Sequence, residues 1–249
     1  MSELQHPDSR SFEQVAALYE RVRPEYPPEA IDWIVDELGL RPGRTVLDLA
    51  AGTGKLTRQL VPSGADVIAV EPGEAMLAEL RHAVPTVTAL HGSAEEIPLA
   101  DDSVDALTVG QAFHWFRFEE ATEEMHRVLR PGGGVALLWN NRDQDDALQR
   151  EVTELMAPFV PPERAAAYDS SKFLAQSPLF DPLEERVFQF VQQLDTEALV
   201  GRIMSISFVA AAPQERRAEL ERQLRGVAAA RGGVVDFPYV TSVYVSRAV

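Results

Sequence analysis

Apolar runs alternating with stretches of helical periodicity dominate residues 45–139. The runs are "TVLDL" (45–49), "DVIAV" (66–70), "TVTAL" (86–90), "VDALTV" (104–109) and "GVALLW" (134–139). Between them, "KLTRQLV", "EAMLAELRHA" and "FEEATEEMHRVL" read as helices, the last closed by "RPGGG". A strand that is apolar throughout is buried on both faces. Strand–helix alternation of such strands packs as a parallel, doubly wound sheet with helices on each side. Its crossovers are expected to be right-handed.

The flanking segments read differently. Phe12, Val15, Ala16, Tyr19 and Val22 repeat at helical spacing, and Ser11 with Gln14 forms a capping-box pattern. "RPEYPP" interrupts this helix, because proline disfavours continuation. A second helix runs from Pro28 to Gly39, with Ile31, Ile34, Val35 and Leu38 on one face. Beyond residue 142, "DALQREVTELMAPFV", "TEALVGRIMSISFV" and "QERRAELERQLRGVAAA" read as helices, and "PPERAAAYDSSKFLAQSPLF" as loop-rich. "LEERVFQFVQQL" (183–194) and "FPYVTSVYVSR" (237–247) alternate in polarity as strands do. The expected organisation has N-terminal helices over 1–40, a ligand-binding core over 41–142 and a cap over 143–235. The cap stretch contains the strand at 183–194, and the final core strand occupies 236–249.

Composition removes several classes of function. The 249 residues include no cysteine, which excludes disulfides and thiolate metal sites. The five histidines show no HxxxH or HxH spacing, so no metal site is expected. A net charge of −16 repels phosphate backbones, so nucleic acid is not an expected partner. The polar "MSELQHPDSR" has no apolar signal core, and no run approaches the roughly 18 apolar residues of a membrane span. A soluble cytoplasmic protein with no membrane partner is the expectation, with its oligomeric state open.

"DLAAGTGKLT" (48–57) follows the first strand and admits three ligands. A phosphate-cradling P-loop needs glycine where Leu49 stands and a hydroxyl residue where Leu56 stands. A dinucleotide fingerprint of an NAD(P)-dependent oxidoreductase needs a third glycine, where Thr57 stands. S-adenosylmethionine has no pyrophosphate. It asks only for small residues against which its methionine part can lie, and for a strand-end acid that accepts from two ribose hydroxyls. Ala50, Ala51, Gly52 and Gly54 meet the first requirement, and Glu71 meets the second.

Four motifs in order then carry a resemblance. "VLDLAAGTG" resembles motif I of class I S-adenosylmethionine-dependent methyltransferases, with Ala50 in place of the first glycine. "VIAVEPGEAML" resembles the segment carrying their acidic ribose ligand. "GSAEEIPLADDSVDAL" resembles their adenine-side loop and fourth strand, and "EMHRVLRPGG" the element before their fifth strand. "YERVRPEYP", "QAFHWF", "LLWNNRD" and "FPYVTSVYVSR" are similar to segments of the small-molecule, trans-aconitate-methyltransferase-like branch. The fold implied is α/β: a doubly wound, mostly parallel seven-stranded sheet with helices on both faces, an antiparallel last strand and a helical cap.

The resemblance implies S-adenosyl-L-methionine as cofactor and S-adenosyl-L-homocysteine as product. Asp48, Ala50, Ala51, Gly52, Thr53 and Gly54 would form the turn under the methionine part. Glu71, Pro72 and Met76 would hold the ribose side, and Ser93, Ala94 and Glu95 the adenine side. Ser93 stands where many relatives carry Asp, and its hydroxyl is a weaker acceptor. Tyr19 and Arg23 would fold over the methionine end.

Gln111, Ala112 and Phe113 would line the methionine part from strand four. His114, Trp115 and Asn140 would face the substrate, with His114 as the candidate base for an attacking hydroxyl. Aromatic core packing is the competing reading for "QAFHWF". The cap holds Arg164, Arg202, Arg216 and Arg217, and an anionic substrate would need one of them pointing inward; along 213–230 a solvated charged face is the simpler expectation. The expected activity is in-line methyl transfer to a small organic metabolite; the alternative is an S-adenosylmethionine-binding protein of the same fold without methyl transfer, serving other catalysis or as a regulatory partner.

Overall fold

The computed structural model describes residues 22–161 and 171–249. Tyr19, most of the N-terminal helical repeat, Arg164 and Tyr168 lie outside these residues.

Helix α1 (Pro28–Leu38) begins with proline at its first turn and ends at Gly39. There the Gly39 and Leu40 N–H groups close on the carbonyls of Asp36 and Val35. Seven strands follow: β1 (Thr45–Leu49), β2 (Asp66–Glu71), β3 (Thr88–His91), β4 (Val104–Gly110), β5 (Leu129–Arg142), β6 (Glu184–Asp195) and β7 (Val234–Arg247). They form one sheet in the order β3-β2-β1-β4-β5-β7-β6. The pairings β1–β2, β1–β4, β2–β3 and β4–β5 are parallel. The last strand, β7, runs antiparallel to both β5 and β6.

Helices α2 (Lys55–Leu60), α3 (Glu74–Ala83) and α4 (Phe118–Val128) connect the parallel strands. On one face, Ile31, Ile34 and Leu38 of α1 join Leu56 and Leu60 of α2 over Val46, Ala106 and Leu138. On the other, Ala121, Met125 and Val128 of α4 pack over Leu47, Leu107 and Leu137. Alternate residues of the central strands therefore feed two cores, which is why those strands are predominantly apolar.

Three local expectations need correction. "RPGGG" does not simply close the preceding helix: α4 stops at Val128 and β5 already begins at Leu129. A register irregularity between Val104 and Ala106 absorbs the offset. The third strand starts at Thr88, because the Val87 N–H is still in a turn with the Val84 carbonyl. The stretch 196–209 is not one helix but α7 (Thr196–Met204) and α8 (Ser207–Ala210). Ser205 Oγ donates back to the Arg202 carbonyl at 2.8 Å, and Ile206 turns extended. Within the loop-rich stretch, Ser171–Gln176 forms helix α6.

The cap has a simple construction. β5 pairs with β7 only as far as Arg142↔Tyr239, whereas β6 continues with β7 to Asp195↔Val234. The β6–β7 ribbon thus projects past the carboxyl edge of the parallel strands. Helices α5 (Ala147–Met156), α7 and α9 (Gln214–Ala229) gather on it around Phe237 and Tyr239. On α9 the charges form surface pairs, such as Arg225 with Glu221 at 2.8 Å. No helix among the described residues is long and apolar enough to cross a membrane.

Candidate active site

Strands β2 and β3 extend the sheet one way from β1, and β4 starts the winding the other way. A crevice opens outside the carboxyl ends of two such diverging strands. Here it is a cleft open to solvent. Asp48, Ala50, Ala51, Gly52 and Thr53 form its floor, and Gly110, Gln111 and Asn140 its far wall. Arg23, Pro24 and Tyr26 cover it from the "RPEYP" segment, and Arg202 enters from α7 in the cap.

The floor is a turn of unusual backbone. Ala50 has φ 55°, Gly52 φ 60° and Gly54 φ 86°. A Cβ on Gly52 would meet no atom within 4 Å, so this glycine presents bare backbone to open space. Gly54 is different: its Cβ would sit 3.0 Å from Leu80 of α3, so its small size serves helix packing as well as the turn.

Glu71 ends β2 beside this turn and is buried. One carboxylate oxygen accepts the Gly52 N–H at 2.8 Å, and the other accepts the Gly73 N–H at 2.9 Å. Asp48 is buried beneath the floor, where it accepts Thr57 Oγ1–H at 2.6 Å and Thr108 Oγ1–H at 3.1 Å. Burial pushes its carboxyl up to about 6, against the opposing pull of these two hydroxyls.

The far wall is equally tied. Gln111 has φ 60°, its N–H donates to the Leu138 carbonyl, and its Nε2 donates to the Asn140 carbonyl at 3.1 Å. Asn140 Nδ2 donates to the Glu25 carbonyl at 3.1 Å, and its Oδ1 accepts Thr241 Oγ1–H at 2.6 Å. Asn140 thereby fastens the covering segment to the sheet. Tyr26 closes over Gly110, where any Cβ would lie 2.5 Å from the tyrosine hydroxyl.

The remaining candidates lie around the cleft rather than in its wall. The Pro72 carbonyl meets His91 Nε2 at 3.0 Å, and Met76 is buried on α3. Ala94 joins the core, and Glu95 Oε1 accepts the Arg117 N–H at 2.9 Å at the start of α4. Ser93 Oγ is buried and has no hydrogen-bond partner. Ala112 and Phe113 belong to the core, Phe113 fully buried and edge-on to Phe116 at 5.6 Å. His114 and Trp115 are half-buried with their rings 4.9 Å apart. Sequence reasoning did not single out Tyr26 or Gly110, whose roles depend on a contact 84 residues apart in the chain.

Comparison with known proteins decides the family. The methyltransferase-domain family matches residues 47–137, which run from β1 into β5. An uncharacterised methyltransferase of Mycobacterium tuberculosis is 40% identical over 238 residues, covering 94% of this chain and 93% of its own. The chain belongs to the class I S-adenosylmethionine-dependent methyltransferases. A further uncharacterised methyltransferase, from Schizosaccharomyces pombe, is 35% identical over 251 residues, covering 96% of this chain and 98% of its own. Among solved structures, a presumed type II methyltransferase of Anaeromyxobacter dehalogenans superposes with a TM-score of 0.67 at 28% identity. It covers 90% of this chain and 97% of its own. These relatives speak for the methyltransferase family as a whole and not for its trans-aconitate-like branch. The methyltransferase's cofactor is S-adenosylmethionine.

Proposed function

We propose that this methyltransferase acts on a small organic metabolite, by in-line displacement in the cleft at the carboxyl ends of β1 and β4. The observation that carries the reading is the Glu71 carboxylate bonded to the glycine turn at 2.8 Å. Each of its oxygens accepts a backbone N–H, and a carboxylate at a strand end is the acceptor type that ribose hydroxyls call for. The unpartnered Ser93 Oγ is a second point of fit, since a buried hydroxyl left alone costs free energy that an adenine group would recover.

On this reading residues 41–142 are the cofactor core, 1–40 its cover and 143–235 the substrate cap, with 236–249 completing the sheet. Glu71, Pro72 and Met76 hold the ribose, and Ser93, Ala94 and Glu95 border the adenine. Ala50, Ala51, Gly52, Thr53 and Gly54 supply the thin floor under the methionine part. Asp48 supplies buried negative charge beside an ammonium group. Arg23 and Gln111 shape the methionine end, with Tyr19 from the N-terminal segment, while Ala112 and Phe113 support it from the core behind.

S-adenosylmethionine brings a methyl group on a sulfonium, a leaving group that needs no acid. The protein's task is therefore to orient the acceptor and exclude water, and orientation of this kind is worth about 7–11 kcal/mol. Asn140 and Trp115 wall the acceptor side, and His114 takes the proton when the attacking atom carries one. The test is incubation with methyl-labelled S-adenosylmethionine and separated small-molecule, protein and nucleic-acid fractions of a cell extract. Label in the small-molecule fraction is expected, and label confined to macromolecules would overturn the proposal.

A further inference from the structure

Among the described residues, two neighbouring arginines beside the cap have no carboxylate partner: Arg202, which lines the cleft, and Arg142, which feels the charge of Arg202. Arg202 of α7 is 5% exposed and lines the cleft. Its Nε donates to the Tyr239 hydroxyl at 2.9 Å, and its guanidinium carbon lies 5.7 Å from that ring's centre. Its Nη1 is buried with no hydrogen-bond partner. Arg142 is the last residue of β5 and pairs with the same Tyr239 in the sheet. Its Nη1 is likewise buried and unpartnered. Burial, and after it the positive charge of Arg202, push the Arg142 guanidinium down to about 10.

This arrangement is unexpected in a chain with 39 acidic and 23 basic residues. Elsewhere arginines find partners, as Arg127 does with Asp101 and Glu124, and Arg231 with Glu151. Two like charges withdrawn from water without a counter-ion oppose folding. A planar guanidinium with free donors is matched to a carboxylate or phosphate, which it binds through two parallel hydrogen bonds.

We propose that Arg142 and Arg202 form a subsite for an anionic group, carboxylate or phosphate, on the methyl acceptor. The inference rests on the methyltransferase reading of the cleft and names the class of acceptor that fits it. Position separates this subsite from the cofactor's own carboxylate. The methionine part is assigned to the β1–β4 junction, whereas Arg142 ends β5 and Arg202 of α7 bonds to Tyr239 on β7. From β1 to β5 is two strand spacings, about 10 Å.

The test uses the intact protein saturated with S-adenosylhomocysteine and titrated calorimetrically with inorganic phosphate, succinate and neutral succinamide. Binding of phosphate or succinate, without binding of succinamide, is expected. Preference for phosphate marks a phosphorylated acceptor, and preference for succinate a carboxylic one. Arg202→Gln and Arg142→Gln should each weaken anion binding at least about tenfold while S-adenosylhomocysteine affinity stays within about threefold. These wild-type comparisons hold even where a variant fails to fold.

Wild type that binds S-adenosylhomocysteine but no anion overturns the subsite alone. So does Arg202→Gln losing S-adenosylhomocysteine binding with anion binding intact. Wild type that binds no S-adenosylhomocysteine overturns the reading of the cleft beneath it.

Discussion

The Glu71 carboxylate at the end of β2 accepts the Gly52 N–H of the turn after β1 at 2.8 Å. One side chain thus fixes the turn's shape and, in the proposed function, also holds the cofactor's ribose. Glu71→Gln replaces one acceptor oxygen with a donor facing a backbone N–H. Charge-assisted hydrogen bonds contribute about 1.5–3 kcal/mol each, so S-adenosylhomocysteine affinity should fall at least about tenfold. Glu71→Ala should fall further. Calorimetric titration of the two variants beside wild type checks both the loss and its order.

Asp48 gives a prediction that separates stability from binding. Its folded carboxyl is pushed from 3.8 up to about 6 by burial. The native state therefore holds the proton to higher pH than the unfolded chain does, and this group's contribution falls as pH rises through that window. The full loss at neutral pH is about 3 kcal/mol. Asp48→Asn removes the titration and can still accept from Thr57 or Thr108. Its stability relative to wild type should rise by about 1–1.5 kcal/mol between pH 5 and pH 7.5 in urea denaturation. S-adenosylhomocysteine affinity should fall in the same variant.

Ala50 has φ 55°, a conformation that costs an L-residue about 1–2 kcal/mol. Ala50→Gly relieves this and returns part of the gain as entropy of the unfolded chain. A net stabilisation of about 0.5–1 kcal/mol is expected by denaturant titration, with cofactor affinity retained.

Gly110→Ala would bring a methyl group to 2.5 Å from the Tyr26 hydroxyl. Tyr26 is buried, and its backbone is held by Gln59 at 3.0 and 2.8 Å. The covering segment must therefore shift, at a cost of about 1–3 kcal/mol. Thermal unfolding should report the loss, and the S-adenosylhomocysteine off-rate should rise because the cover no longer closes.

The legible parts of the chain were those whose signals are local. Apolar runs and the glycine turn foretold β1, β2 and β4, and with them the crevice. The position of Glu71 at a strand end was legible because it needs only a correctly placed strand. Phe113 was harder, since core and ligand-facing aromatics look alike in sequence and only the packing of Phe116 and Phe118 distinguishes them. Arg202 left a fainter mark, a lone cation among Leu199, Val200, Ile203 and Met204 on the apolar part of its helix. What it faces is set by the β6–β7 ribbon, which sequence periodicity reveals as strands but not as a projection beyond the sheet edge.

The most direct measurement of the central claim is calorimetric titration of wild type with S-adenosylhomocysteine and, separately, with NAD. Micromolar binding of S-adenosylhomocysteine that is lost in Glu71→Ala, with no heat from NAD, is the predicted result. Undiminished S-adenosylhomocysteine binding in Glu71→Ala, or binding of NAD in its place, would contradict the account.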